Sequence, residues 1–183
     1  MSTKSRGVAL LVIQCLLVAS IGVKYLYERA TRPRVWVRVA QYDPNLPMRG
    51  RYMALTPLVN ACQLPRGRGQ DQYVSPAPGQ KVENWYWRVT TKARDGKLVV
   101  DLADNTVPRS ETQSIYLTSD NPCDRVALTP GVDFFIPDTA EPPFPKKAGQ
   151  ELWAEVTVPA AGPPRPIQLA MSENGQWKVL KLD

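Results

Sequence analysis

Any chemistry in this chain is done without histidine, which is absent from its 183 residues. That removes imidazole acid–base catalysis, Ser–His and Cys–His nucleophiles, and His-ligated metal centres. Carboxylates are the next candidates. Asp101 and Asp104 flank a strand end, and Asp133, Asp138 and Glu141 cluster further on. Glycoside hydrolysis needs two such groups at a defined separation, and nothing in the spacing selects a pair. Asp138 three residues before Glu141 is equally the pattern that caps one helical turn. No motif joins nucleophile, base and orienting group, so the residues imply a non-catalytic protein that needs no cofactor and no metal.

Binding chemistry has more to work with. Arg49-Gly50-Arg51 and Arg66-Gly67-Arg68 combine guanidinium forks with glycine amides, a set suited to an anion. They lack the spacing of a phosphate-binding loop, and two solvated loops account for them equally simply. Trp85-Tyr86-Trp87 begins a strand, which puts Trp85 and Trp87 on one face and Tyr86 on the other. Exposed, the Trp pair would stack sugar rings or a partner; facing inward, it is ordinary core. Cys62 and Cys123 can close a disulfide worth about 4 kcal/mol in the chain-entropy view, or remain two separate thiols.

These groups have to be carried by elements, and the clearest element is Gly7–Val23. It holds no charge and no proline, and Gln14 and Ser20 are its plain polar residues. As a helix it spans roughly 26 Å, and Lys24, Tyr25 and Tyr27 extend it into a membrane interface. A cleaved signal peptide is the simpler alternative, but Val18-Ala19-Ser20 makes a poor cleavage site. The chain therefore divides into a basic tail (1–6), a transmembrane anchor (7–27), a basic juxtamembrane linker (28–34) and an extramembrane domain (35–183). Lys4, Arg6, Lys24, Arg29 and Arg32 oppose only Glu28 and carry most of the net charge of +6. That concentrates cations beside lipid headgroups and argues against a nucleic-acid surface. Counting arginines alone would hold the domain in the cytoplasm, a rule that weakens for long translocated domains. The reading places it outside.

All 18 prolines fall at Pro33 or later, a density that forbids long helices. Alternation marks strands at Arg34–Gln41, Gly50–Leu55 (stopped at Pro57), Val82–Ala93, Lys97–Ala103, Ser114–Leu117, Val132–Ile136, Leu152–Val158, Ile167–Met171 and Trp177–Leu182. Arg94-Asp95-Gly96 and Asn174-Gly175 are hairpin turns. Pro65–Gly79 reads as a long loop.

Asp43-Pro44…Pro47-Met48-Arg49-Gly50-Arg51-Tyr52-Met53-Ala54-Leu55 resembles the signature of the bacterial GDYXXLXY family. Gly50, Tyr52 and Leu55 match; Arg51 stands where the family has Asp, and Pro57 where it has Tyr. Gly131–Glu141, GVDFFIPDTAE, resembles the family's Gly-Ile-Glu…Phe-Val-Pro-Glu stretch, with Asp138 in place of Glu. The resemblance implies a bacterial inner-membrane protein with a periplasmic domain, associated with polytopic membrane proteins and without an assigned activity.

The expectation is thus one N-terminal transmembrane helix and an all-β domain, a sandwich or partly closed barrel of about eight to ten short antiparallel strands. Its partners would be the lipid bilayer and an integral membrane protein. The expected contact surface is Arg49, Gly50, Arg51, Tyr52, Phe135, Pro137, Asp138 and Glu141, two segments that could lie together. The alternative is an envelope glycan- or lipid-binding domain built on Trp85 and Trp87.

Overall fold

A computed structural model describes residues 3–42, 52–65, 84–118, 122–137, 143 and 147–181. The chain falls into two compact units, Met1–Arg32 and Pro33–Asp183. The first is one helix, α1 (Thr3–Thr31). Within it, the span Arg6–Thr31 contains an 18-residue window with a mean hydropathy of 2.1, long and apolar enough to cross a membrane. Apolar side chains lie all round it, and from Arg6 to Thr31 every residue except Glu28 is exposed. The helix runs on through part of the stretch expected to be linker. Glu28, Arg29 and Ala30 are good helix formers, and nothing stops them before Pro33 restricts Arg32.

The second unit is all-β. Its strands are β1 (Arg34–Tyr42), β2 (Tyr52–Val59), β3 (Asn84–Arg94), β4 (Lys97–Leu102) and β5 (Gln113–Thr118). β6 (Val126–Thr129), β7 (Val132–Phe135), β8 (Gln150–Thr157), β9 (Arg165–Glu173) and β10 (Gln176–Val179) follow. They make one 10-stranded antiparallel sheet in the order β10-β9-β8-β1-β2-β6-β5-β3-β4, with β7 added on β2. A sheet with one apolar face must cover that face, and among the described residues of this unit the sole helical element is a 3-10 turn, Arg109–Glu111. The sheet covers it by curling. Val35, Leu55, Val89, Val100, Ile115, Leu128, Leu152 and Leu169, drawn from eight strands and both flanks, share one buried cluster. An isolated bridge between Asn60 and Val99 brings the edge strand β4 back to the end of β2.

Both hairpin turns have the expected chemistry. Asn174 (φ 51°) and Gly175 (φ 81°) join β9 to β10, and Asp95 (φ 51°) and Gly96 (φ 71°) join β3 to β4. Two successive positive φ values match the twist of the strands they connect.

Three details differ from the sequence expectation or decide between its alternatives. β2 does not stop at Pro57 but carries it fully buried in mid-strand. The residue is tolerated because β2 changes neighbours there. Pairing with β1 ends at Val39↔Pro57, β7 covers Tyr52 to Leu55, and β6 takes over at Leu58. β6 has no counterpart among the expected strands, since four residues between turn formers carry almost no alternation. Finally, Cys62 and Cys123 are bonded, with Cα atoms 4.8 Å apart. The bridge ties the chain just past β2 to the chain just before β6, beside the hydrogen bond that the Ala61 amide donates to the Cys123 carbonyl at 2.8 Å.

Candidate functional site

Of the expected contact residues, Tyr52, Phe135 and Pro137 lie within the described residues. Arg49, Gly50, Arg51, Asp138 and Glu141 lie outside them, as do Arg66-Gly67-Arg68 and Pro78-Gly79. Tyr52 opens β2 and Phe135 closes β7, and the register sets them opposite each other. Their rings meet edge to face at 5.7 Å. Neither contributes to the core: Tyr52 is 45% and Phe135 62% exposed. The pairing sets Tyr52 and Phe135, one described residue from each expected segment, side by side. Close approach along this pair is set by Gly131, where an added Cβ would lie 2.8 Å from the Leu55 carbonyl oxygen.

The expected stacking platform is not formed. Trp85 and Trp87 do share a face, but Trp87 is 6% exposed and Trp85 packs against the same cluster. The face turns inward because Trp87, Val89 and Thr91 continue it as buried positions.

A different aromatic surface lies on the other flank, and sequence reasoning missed it. Trp36 on β1, Trp153 on β8 and Trp177 on β10 all point away from the core. The Trp177 ring lies 5.7 Å from that of Trp36 and 4.7 Å from that of Trp153. The residues opposite Trp153 and Trp177 in register, Ala170 and Ser172, are small and buried. Beside this surface opens a groove of about 320 Å³, lined by residues that include Trp36, Arg38, Asn60, Lys97, Arg125 and Trp153. Its origin is the parting of two strands. β1 residues before Val39 pair only with β8, because the β1–β2 ladder ends at Pro57, which has no N–H to extend it. Leu58 and Asn60 then diverge from Val37 and Arg38, and Lys97 and Leu98 close the far side. Arg38 is paired with Glu151 at 2.9 Å, and Arg125 lies 3.7 Å from Asp124. The signal available in the sequence was the outward parity of Trp36 and Trp153 in their strands.

The candidate carboxylates are dispersed. Asp101 on β4 accepts a hydrogen bond from Lys92 Nζ at 2.9 Å and lies 3.8 Å from an Arg94 nitrogen. Its pKa is held below the ordinary 3.8, chiefly by that hydrogen bond; partial burial opposes the shift and the two cations add to it. Asp104 is exposed in the turn after β4, and Asp133 is exposed on β7, a strand not paired with β4.

Comparison with protein-family profiles, curated proteins and solved structures finds no match to this chain. The structure itself defines a class: an apolar N-terminal helix followed by a disulfide-containing β domain. A bonded cysteine pair belongs to oxidising compartments, and the arrangement is consistent with a secreted or envelope β domain.

Proposed function

We propose that this chain is a membrane-anchored, non-catalytic interaction module of the bacterial envelope, an accessory subunit of an integral membrane partner. α1 serves as a single-pass anchor in the inner membrane and the β domain works on the periplasmic side. The membership in the GDYXXLXY family implied by its two motifs is part of this proposal. The observation that carries it is the Tyr52–Phe135 pair. Two large aromatic side chains stand exposed and in mutual contact, at the point where both motif segments join a common strand pair. Folding has no use for such exposure, whereas aromatic anchors of this kind dominate protein interfaces. The disulfide supports the sidedness, since cytoplasmic thiols are kept reduced.

Affinity purification of the full chain from detergent-solubilised membranes tests this. A stoichiometric polytopic protein is expected to co-purify, and Tyr52→Ala with Phe135→Ala to lower its recovery at least about tenfold. Purification of the chain alone, or recovery unchanged in the double variant, would count against it.

A further inference from the structure

The groove on the tryptophan flank is separate from the Tyr52–Phe135 pair, and its lining has a chemistry of its own. Its wall is aromatic: Trp36 and Trp153 line it, and Trp177 extends the indole surface beyond it. Trp36 and Trp153 are partly buried and Trp177 is half exposed; the accessible part of an indole offers its π face to the C–H bonds of a pyranose ring. Its polar groups are cationic in balance. Arg38, Lys97 and Arg125 face Asp124 and Glu151, and both carboxylates already have cation neighbours. Lys97 has no ion pair among the described residues, so one full positive charge is left for a ligand. Asn60 Oδ1 is taken by the Cys62 amide at 3.0 Å, which leaves the Asn60 amide nitrogen to donate. A volume of about 320 Å³ falls at the small end of ligand pockets, enough for one or two sugar rings.

Trp36, Val37, Leu58, Leu98 and Trp153 give the groove an apolar share, but an acyl chain laid on them would desolvate Lys97 and the Asn60 amide nitrogen without giving either a partner. A neutral sugar would satisfy the indoles but leave Lys97 without a counter-charge. We infer that the groove where β1 and β2 part binds an acidic saccharide, with a pyranose ring on the Trp36–Trp153 wall and a carboxylate meeting the lining cations. Charge-assisted contacts to a guanidinium or ammonium group are about twice as strong as neutral ones, so the acid group supplies the discrimination. The bound oligosaccharide extends over Trp177, where a second ring stacks.

The test uses the full chain in detergent micelles and titrates intrinsic tryptophan fluorescence with a glucuronate-containing tetrasaccharide. A neutral glucose tetrasaccharide is the control. Saturable binding of the acidic probe is expected, with the neutral one at least about tenfold weaker, a difference that shrinks at high salt. Lys97→Ala with Arg125→Ala should weaken the acidic probe at least about tenfold and leave the circular dichroism unchanged. Lys97→Gln alone should show a smaller loss in the same direction. No binding of the acidic probe at millimolar concentration would overturn the inference. Equal binding of the neutral probe, or full binding by the Lys97→Gln and double variants, would do the same.

Discussion

Trp87 on β3 and Trp177 on β10 are the same residue type in one sheet, yet the first is 6% exposed and the second 49%. The contrast extends to their flanks. Around β3, β4 and β5 the tryptophan face turns inward, and the outer face combines a tyrosine pair, Tyr86 and Tyr116 at 5.0 Å, with polar contacts: Lys92 on Asp101 and Arg88 donating to the Val107 carbonyl at 2.8 Å. Around β1, β8, β9 and β10 the inner face is aliphatic and the outer face carries three indoles in contact. Aromatic content therefore says little about where a protein presents its binding surface. Strand parity and the identity of the neighbouring strands decide it.

The sharpest way to break this contrast is to truncate the inward ring. Trp87→Ala is expected to cost about 3–5 kcal/mol in chemical denaturation, whereas Trp177→Ala costs about 1 kcal/mol. Similar costs for both would mean that the outer cluster is a second core and not a surface. Next comes the disulfide at the seam between the flanks. Cys62→Ser with Cys123→Ser frees a loop with a sequence separation of 61 and should lower stability by about 4 kcal/mol. A loss near zero would show that the curled sheet holds the seam without it.

The inner flank also carries an imperfection with a predictable sign. Gln113 is 2% exposed, and among the described residues neither its amide nitrogen nor its amide oxygen has a partner; the Thr91 hydroxyl is in the same position. Desolvated polar groups without partners cost more than they return, so Gln113→Met should raise stability by about 1 kcal/mol. Destabilisation would show that buried waters satisfy that amide. The smallest effect lies outside. Asp101 has its folded pKa below the ordinary 3.8, so its stabilising contribution is complete above that value. It is lost as pH falls through the folded pKa. Being partly solvated, the pair with Lys92 contributes no more than about 1 kcal/mol. Asp101→Asn should therefore lower stability at neutral pH by up to that amount, change little in acid below the folded pKa, and flatten the profile between the two.

Local features were readable in the sequence where the causes are local. Asn174-Gly175 and Asp95-Gly96 specify their turns by backbone conformation alone, and the valines of β1 declare their face by alternation. Proline density excluded helices from the β domain. What depends on distant partners was not readable. Trp36 and Trp153 each showed outward parity, but their gathering around Trp177 requires Arg38 to pair with Trp153 across most of the domain's length. The same holds for Pro57. A proline ends a strand by local rules, and only the change of neighbours on β2 explains why this one lies inside. The cysteine pair was undecided for the same reason, since spacing cannot report a Cα separation of 4.8 Å.

The account's central claim is that an anchored β domain meets an integral membrane partner through its exposed Tyr52–Phe135 pair. Photocrosslinking from a benzoylphenylalanine placed at position 135, in intact membranes, tests that claim most directly. A single discrete adduct with a polytopic protein is predicted from position 135 and none from position 178 on the tryptophan flank. No adduct from position 135, with the chain folded and retained in the membrane fraction, would contradict it.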